Sequence, residues 1–442
     1  MTPKIVRDPA NGLAQLAMRA GGQIERLRLG PFHLYLVTHP DHVQHILRHN
    51  QANYARQGMF WRPLNRLFGQ GILSDGPTWE SSRKILQPLF TAQWVSSLGE
   101  AIAKTVDERV GALEEHARSG QVIDARHEMA AVVNQSVIRV LFGDRISSQD
   151  TERLISAYHA ADSAVTFRML MPFMPYALPM PGDRAFMDAV RRVDEVVLPV
   201  IDKAKRDTRA GAGVDIVTAL CQAREADGRP RGDRRIRDDL VSMYASAYVT
   251  TASTLTWLWP VLDAHPEVAA KLYAEIDRVV GAGPAAPSHL PELRYTKMVL
   301  QEILRLYPAA WLFPRMARES EQVGGVRIKA GSMVLISTYA THRLEEFWDR
   351  PLDFDPERFS PDAPQRRHRY AYFPFGGGAH QCIGQHLFYL DTPLIVAAIL
   401  SRFRPVLLSR GPFTPAPTAL LRPRGKVELR LIPAGTGPRG AR

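Results

Sequence analysis

Residues 373–385 read FPFGGGAHQCIGQ. Cys382 follows three consecutive glycines, Gly376, Gly377 and Gly378, and a fourth, Gly384, lies two places beyond it. Glycine permits positive φ and lets backbone amides approach a neighbouring group, so such a loop can wrap round a sulfur with N–H groups aimed at it, which favours thiolate over thiol. A lone cysteine beside a glycine turn is more often a small buried hydrophobe, and the loop alone does not decide between the two. The chain has two cysteines, Cys221 and Cys382, in 442 residues. That is too few for a disulfide framework, fits a reducing compartment such as the cytoplasm, and leaves the chemistry to a thiol.

Hydrophobic residues make up 45% of the chain and charged residues 23%, the profile of a folded globular protein. The start, MTPKIVRDPANG, carries charge at Lys4, Arg7 and Asp8 and has no apolar signal core. We find no apolar run of the roughly 20 residues a spanning helix needs, so no membrane anchor is expected. The net charge of +11 suits an acidic partner. Nucleic acid is not expected, because no recognition motif accompanies the charge. The densest basic stretch, RPRGDRRIRDD (229–239), mixes in Asp233, Asp238 and Asp239 as a solvated loop would.

Apolar spacing predicts helices over 96–117, 184–208, 238–264 and 290–306, with strands confined to short pieces such as 33–37 and 332–337. Pro260 is expected to kink or end its helix early. The fold class is mainly α with a small β part, read as a single domain over 1–442 with frayed termini at about 1–10 and 435–442.

Phe375, Gly378, His380, Cys382 and Gly384 together form F..G.H.C.G, and at this point the sequence resembles the haem-binding loop of the cytochrome P-450 monooxygenases. The resemblance extends over about residues 30–425. It implies a triangular, helix-rich domain enclosing haem b, with Cys382 as the proximal thiolate ligand of the iron. Phe375 would shield the thiolate, and His380 would stand where a basic residue meets a haem propionate. In QEILRLYP, Glu302 and Arg305 are three apart on one helical face, which by itself reads as a surface ion pair. FDPERF (354–359) resembles the family's downstream segment and would add Arg358, completing a structural Glu-Arg-Arg cluster. Trp79 and Arg83, four apart on one helical face, match the family's propionate-binding pair, and Arg315 of FPRMARE matches a second propionate arginine.

The oxygen side departs from the family. Counting back from His265 and Pro266 places Ser246, Ala247, Tyr248, Val249 and Thr250 on the positions of the small residue, glycine, variable residue, acid and threonine that face the iron. Thr250 is present with Thr251 beside it, and both are candidate catalytic residues; Val249 cannot relay a proton. A substrate group, or water held by the threonines, would have to take over that delivery, or the reaction would bypass dioxygen as a peroxide-driven oxidation or an isomerisation.

By resemblance, four segments line the pocket: 56–73, 169–181, 309–313 and 418–421. Phe60, Trp61, Met171, Phe173, Ala247, Tyr248, Trp311, Leu312 and Leu420 are the candidate wall residues. Met, aromatic and aliphatic side chains suit a hydrophobic organic substrate such as a terpenoid or polyketide, though they fill ordinary cores too. Segment 169–181 cannot be a continuous helix and is expected to act as a lid. The chain has no dinucleotide fingerprint and no iron–sulfur cysteine cluster, so electrons are expected from a separate ferredoxin or flavodoxin with its NAD(P)H-dependent reductase, with O2 as co-substrate. A monomer is expected. The runner-up readings are a haem-thiolate oxidase or isomerase that needs no redox partner, and a non-catalytic haem protein that binds ligands.

Overall fold

The structure, a computed structural model, describes residues 8–435 except 30–31, 171–173, 175–177, 179, 210–214, 226, 364–366 and 417–419. Its contacts sort into two compact units where the sequence reads as one domain. The first comprises Met1–Tyr54, Ser96–Gln135 and Val249–Arg442, and the second Ala55–Val95 and Ser136–Tyr248.

The first unit is built round the helix Gln385–Arg402, whose residues from Leu387 to Ser401 are buried almost without interruption. Together with the turn before it, Gly378–Arg402 is long and apolar enough to cross a membrane by composition, contrary to the expectation from sequence. It is instead a core helix, packed against the helices Gly99–Gly111, Pro266–Val279 and Arg294–Leu306. The same unit contains a mixed sheet with its own buried cluster, which includes Tyr35, Val37, Val334 and Ile336. Strand Phe32–Val37 pairs antiparallel with Glu25–Leu29 and parallel with Met333–Ile336, and the latter pairs antiparallel with Phe313–Ala317. Leu36 opposes Leu335 and Arg315 opposes Val334.

The helix predicted over 96–117 is divided into Ala92–Ser97, Gly99–Gly111 and Glu114–Ser119. Its apolar stripe continues across the breaks, with Val95, Ile102, Val106, Val110 and Leu113 all buried, so periodicity alone did not reveal them. The other three predictions lie within Asp183–Arg209, Asp233–Ala264 and, apart from the first four residues of 290–306, Arg294–Leu306. The N-terminus is ordered earlier than expected, because Asp8 caps the helix Pro9–Arg19 by accepting the Asn11 N–H. Of the tail expected to fray, only Gly435 lies within the described residues.

In the second unit, helices Ser148–Leu170 and Asp183–Arg209 pack along each other. The buried stripe Phe186, Ala189, Val193, Val197, Val200, Ile201 and Ala204 repeats at helical spacing. Pro199 sits on the exposed side of that helix. The long helix Asp233–Ala264 begins in this unit and passes into the first after Tyr248. Pro260 neither ends it nor shortens it, since the helix runs on to Ala264 and His265 leads into the next at Pro266.

Candidate active site

The cysteine loop is closed by its own backbone. The Cys382 N–H donates to the Phe375 carbonyl at 2.8 Å, with Gly376 N–H to Phe373 O and Gln381 N–H to Gly378 O tightening the turns inside. Gly376 and Gly378 hold φ of +70° and +68°. A side chain on Gly378 would overlap the Leu47 carbonyl, and one on Gly377 would come within 2.5 Å of the Tyr370 ring. These glycines are therefore needed for close packing as well as for turning. Gly384 is different: its φ is −82°, and a Cβ there would lie 3.9 Å from the Cys382 sulfur.

Cys382 is exposed while its neighbours from His380 to Gly384 are half-buried, so the loop presents its thiol rather than hiding it. The sulfur stands just ahead of the first turn of an 18-residue helix, whose N–H dipoles favour thiolate. Phe375 is half-buried and meets Phe388 and Tyr389 edge-on at 5.3 and 5.5 Å. Among the described residues no group of three or more His, Cys, Asp or Glu side chains could hold a metal ion. A single presented sulfur cannot chelate a bare ion. A backbone-closed loop that presents one thiol fits the haem that the resemblance implies, which would take that sulfur as its protein ligand.

Behind the loop lies a buried charge cluster. Arg305 donates Nε and Nη2 to the two oxygens of Glu302, each at 2.7 Å, and Arg358 Nε approaches Glu302 Oε1 at 3.3 Å. Glu302 and Arg305 are 0% exposed, so the surface-pair reading of their spacing fails. The arginines spend their other donors on carbonyls: Arg305 on those of His342, Pro351 and Asp353, and Arg358 on those of Asp349 and Arg350. The cluster thus gathers the irregular segment 342–358 onto one helix.

Sequence reading missed His342. It is fully buried, its Nε2 accepts the Phe373 N–H at 3.0 Å, and its Nδ1 stands 3.1 Å from the Arg305 carbonyl. The tautomer is therefore fixed with hydrogen on Nδ1. Burial pushes its pKa down to about 3. The imidazole links the arginine cluster to the entrance of the cysteine loop, and no periodic signal in THRLEEFW marks it.

On the long helix the two threonines part. Thr250 is half-buried, with its carbonyl accepting Thr254 Oγ1 at 3.1 Å, whereas Thr251 is 8% exposed and turned to the interior. Both hydroxyl residues thus lie on the inward part of this helix, Thr251 the more deeply buried of the two. Further along the same helix, Ser253 Oγ and Trp257 Nε1 both donate to the Leu421 carbonyl, and the Leu421 N–H donates to Ala309 O at 2.9 Å. Leu421 thereby joins three predicted pieces, the long helix, the segment of Trp311 and Leu312, and Leu420. Trp311 is buried, and Leu312 and Leu420 are half-buried. Arg315 is buried in its strand and donates Nη1 to the Pro314 carbonyl. His380 is half-buried in a short turn.

In the second unit, Trp79 and Arg83 share one face of the helix Gly76–Leu86 and are half-buried. Phe60 and Ala247 are half-buried, and Trp61 is buried beneath the Arg56 guanidinium, 5.6 Å from its ring centroid. Tyr248, expected in the pocket wall, is 3% exposed; it stacks on Tyr244 at 5.7 Å, with its hydroxyl 3.3 Å from His159 Nε2. The ring is packed in the interior of this unit. Met171 and Phe173 lie outside the described residues.

The cytochrome P450 family model matches residues 7–431. The chain belongs to the cytochrome P450 family. Among relatives of this P450, a cyclooctatin synthase of Streptomyces melanosporofaciens is 32% identical over 97% of this chain and 92% of its own. A pentalenene oxygenase of Streptomyces avermitilis is 28% identical over 97% and 94%. The crystal structure of the cytochrome P450DA heme domain superposes with a TM-score of 0.84 at 23% identity, covering 97% of this chain and 93% of that one. As a P450, this protein is an oxidoreductase that carries haem with a cysteine thiolate, uses O2 and an external electron source, and acts on hydrophobic substrates.

Proposed function

We propose that Cys382 is the thiolate ligand and that the protein oxygenates a terpenoid-type hydrophobic substrate with electrons from a ferredoxin or flavodoxin served by an NAD(P)H-dependent reductase. The observation that carries the assignment is the presented sulfur in a loop closed by the Cys382 N–H to Phe375 carbonyl bond. The thiolate-bound haem supplies oxygen activation, because an anionic sulfur pushes electron density onto the iron. His380, Arg315, Trp79 and Arg83 would hold its propionates, since a guanidinium fork matches a carboxylate. The names of the Streptomyces relatives support a terpenoid substrate. The net charge of +11 favours an acidic electron carrier, and we take the protein to act as a cytoplasmic monomer.

Thr250 and Thr251 would orient the water that hands protons on, and with Val249 in the acid position that water must be replenished by solvent or by the substrate. The Cys382→His variant is expected to retain haem and lose oxygenation, and the reduced carbon monoxide adduct of the native protein to show the red-displaced band of a thiolate ligand. A native protein lacking that band would remove the assignment. Val249 also keeps a peroxide-driven reaction open as a second reading. Product formed per NADPH consumed, compared with product formed on added hydrogen peroxide, separates the two.

A further inference from the structure

The stretch 229–239 reads from sequence as a solvated basic loop, and Arg229, Asp233 and Arg234 are indeed exposed, but its other charges include four that are buried. Arg231 is 2% exposed, Arg237 and Asp239 0%, and Asp238 3%. Asp239 is met by Arg231 Nη2 at 2.5 Å and by Ser82 Oγ at 3.0 Å, while Arg237 bonds Asp194 and Asp238 at 2.5 and 3.0 Å. Three consecutive residues near the start of the long helix then reach the backbone of a distant loop. Arg237 Nη1 donates to the Leu67 carbonyl at 3.0 Å. Asp238 accepts the Gln70 N–H and Asp239 accepts the Ile72 N–H, each at 2.8 Å.

The loop sequence is cut to fit these carboxylates. Helix Arg62–Phe68 ends at Gly69, whose φ is +66° and whose Cβ, if it had one, would overlap the Asp238 carboxylate. A Cβ on Gly71 would lie 2.6 Å from Asp239 Oδ1. The alternating pattern FGQGI therefore offers an N–H from Gln70 and Ile72 and bare backbone from the glycines between them. Loop amides are ordinarily satisfied by water. Here they are held by charges, through bonds roughly twice as strong as neutral ones.

We propose that Asp238 and Asp239 are positioning residues for substrate specificity, clamping the backbone at Gln70 and Ile72 so that segment 56–73 presents one fixed wall to the substrate. The proposal rests on the reading of 56–73 as pocket wall. The clamp narrows the range of molecules admitted, and loosening it is expected to change which ligands enter without altering the haem.

The test uses the haem-loaded protein with two iron-binding probes, imidazole and the bulkier 1-phenylimidazole, followed by their absorption shifts, alongside amide hydrogen exchange. In Asp238→Ala and in the milder Asp239→Asn, exchange at Gln70 and Ile72 respectively is expected to quicken by about tenfold or more, the factor that losing one charge-assisted hydrogen bond implies. The ratio of phenylimidazole to imidazole binding should shift by about fivefold while imidazole itself stays within about twofold. A merely structural role would lower thermal stability and leave that ratio unmoved. Unchanged exchange in the variants overturns the clamp. Faster exchange with an unmoved ratio overturns the proposal by a separate route, because segment 56–73 is then not the pocket wall. Should Asp238→Ala fail to fold, the native protein still decides: Gln70 and Ile72 amides that exchange as fast as those of the exposed turns at Gly120 and Gly411 would overturn the clamp.

Discussion

The two buried charge clusters, one in each unit, solve the same problem with opposite signs. In the first unit the acid is central: Glu302 holds Arg305 and Arg358, and the arginines reach outward to five backbone carbonyls. In the second the bases hold Asp238 and Asp239, which reach outward to backbone amides of the loop 70–72, while Arg237 also reaches one carbonyl, that of Leu67. Irregular backbone can be buried only if its polar groups find partners, and a cation serves carbonyls as an anion serves amides. The first device gathers a segment that ends in carbonyls pointing inward. The second fixes a loop whose N–H groups point inward. Segment 342–358 and segment 67–72 are ordered by charges that belong to helices far away in the chain.

The largest effects come from removing a central partner. Arg305→Ala should destabilise the protein by about 3–5 kcal/mol in urea unfolding, since it leaves Glu302 charged and dry and several carbonyls without donors. Arg231→Ala should cost somewhat less, about 2–4 kcal/mol, because Ser82 still donates to Asp239. An Arg231→Ala cost under about 1 kcal/mol, the range of an exposed pair, would break the parallel between the two units.

Glycine substitutions sharpen the comparison at the next level down. Gly378→Ala places a methyl group against the Leu47 carbonyl in a left-handed conformation and is expected to cost about 2–3 kcal/mol, with loss of haem retention. Gly384→Ala, at negative φ and with ordinary contact distance to the sulfur, should cost less than about 1 kcal/mol. Equal losses at the two positions, read by thermal unfolding, would show that close packing against Leu47 is not what the loop needs.

The most gradual effect is a pH dependence carried by the first unit. His342 titrates near 6.5 when unfolded and near 3 when buried, so the unfolded chain takes up a proton that the folded chain refuses. Stability from this group is complete above pH 6.5 and falls as the pH drops, by at most about 1.4 kcal/mol per unit. Replacing His342 with Gln should flatten that part of the profile between pH 6 and 4. An unchanged slope in denaturant titrations across that range would assign the acid sensitivity elsewhere.

Much of the site was readable because its signals are local. F..G.H.C.G lies within ten residues, and the spacing of Glu302 and Arg305 puts both on one turn of helix. The helix Asp183–Arg209 was legible within a residue at each end because its apolar stripe is regular over many turns. The breaks at Leu98 and near Ala112 were hidden because burial continues across them. His342 was invisible for a related reason: a buried imidazole with two backbone partners has the same one-letter code as an exposed one. Residues 229–239 misled because mixed charge is the mark of both a solvated loop and a dry ion network, and only partners some 150 residues away in sequence tell them apart.

By itself, then, the chain specified its helical class, its sulfur and the local turn chemistry around that sulfur, because those depend on neighbours within a few residues. Only the tertiary structure decided how deeply each threonine is buried, that Tyr248 stacks on Tyr244, and that Asp238 and Asp239 are dry. Each of those outcomes depends on what the rest of the chain brings alongside, and the desolvation of a charge is a property of its surroundings rather than of its spacing.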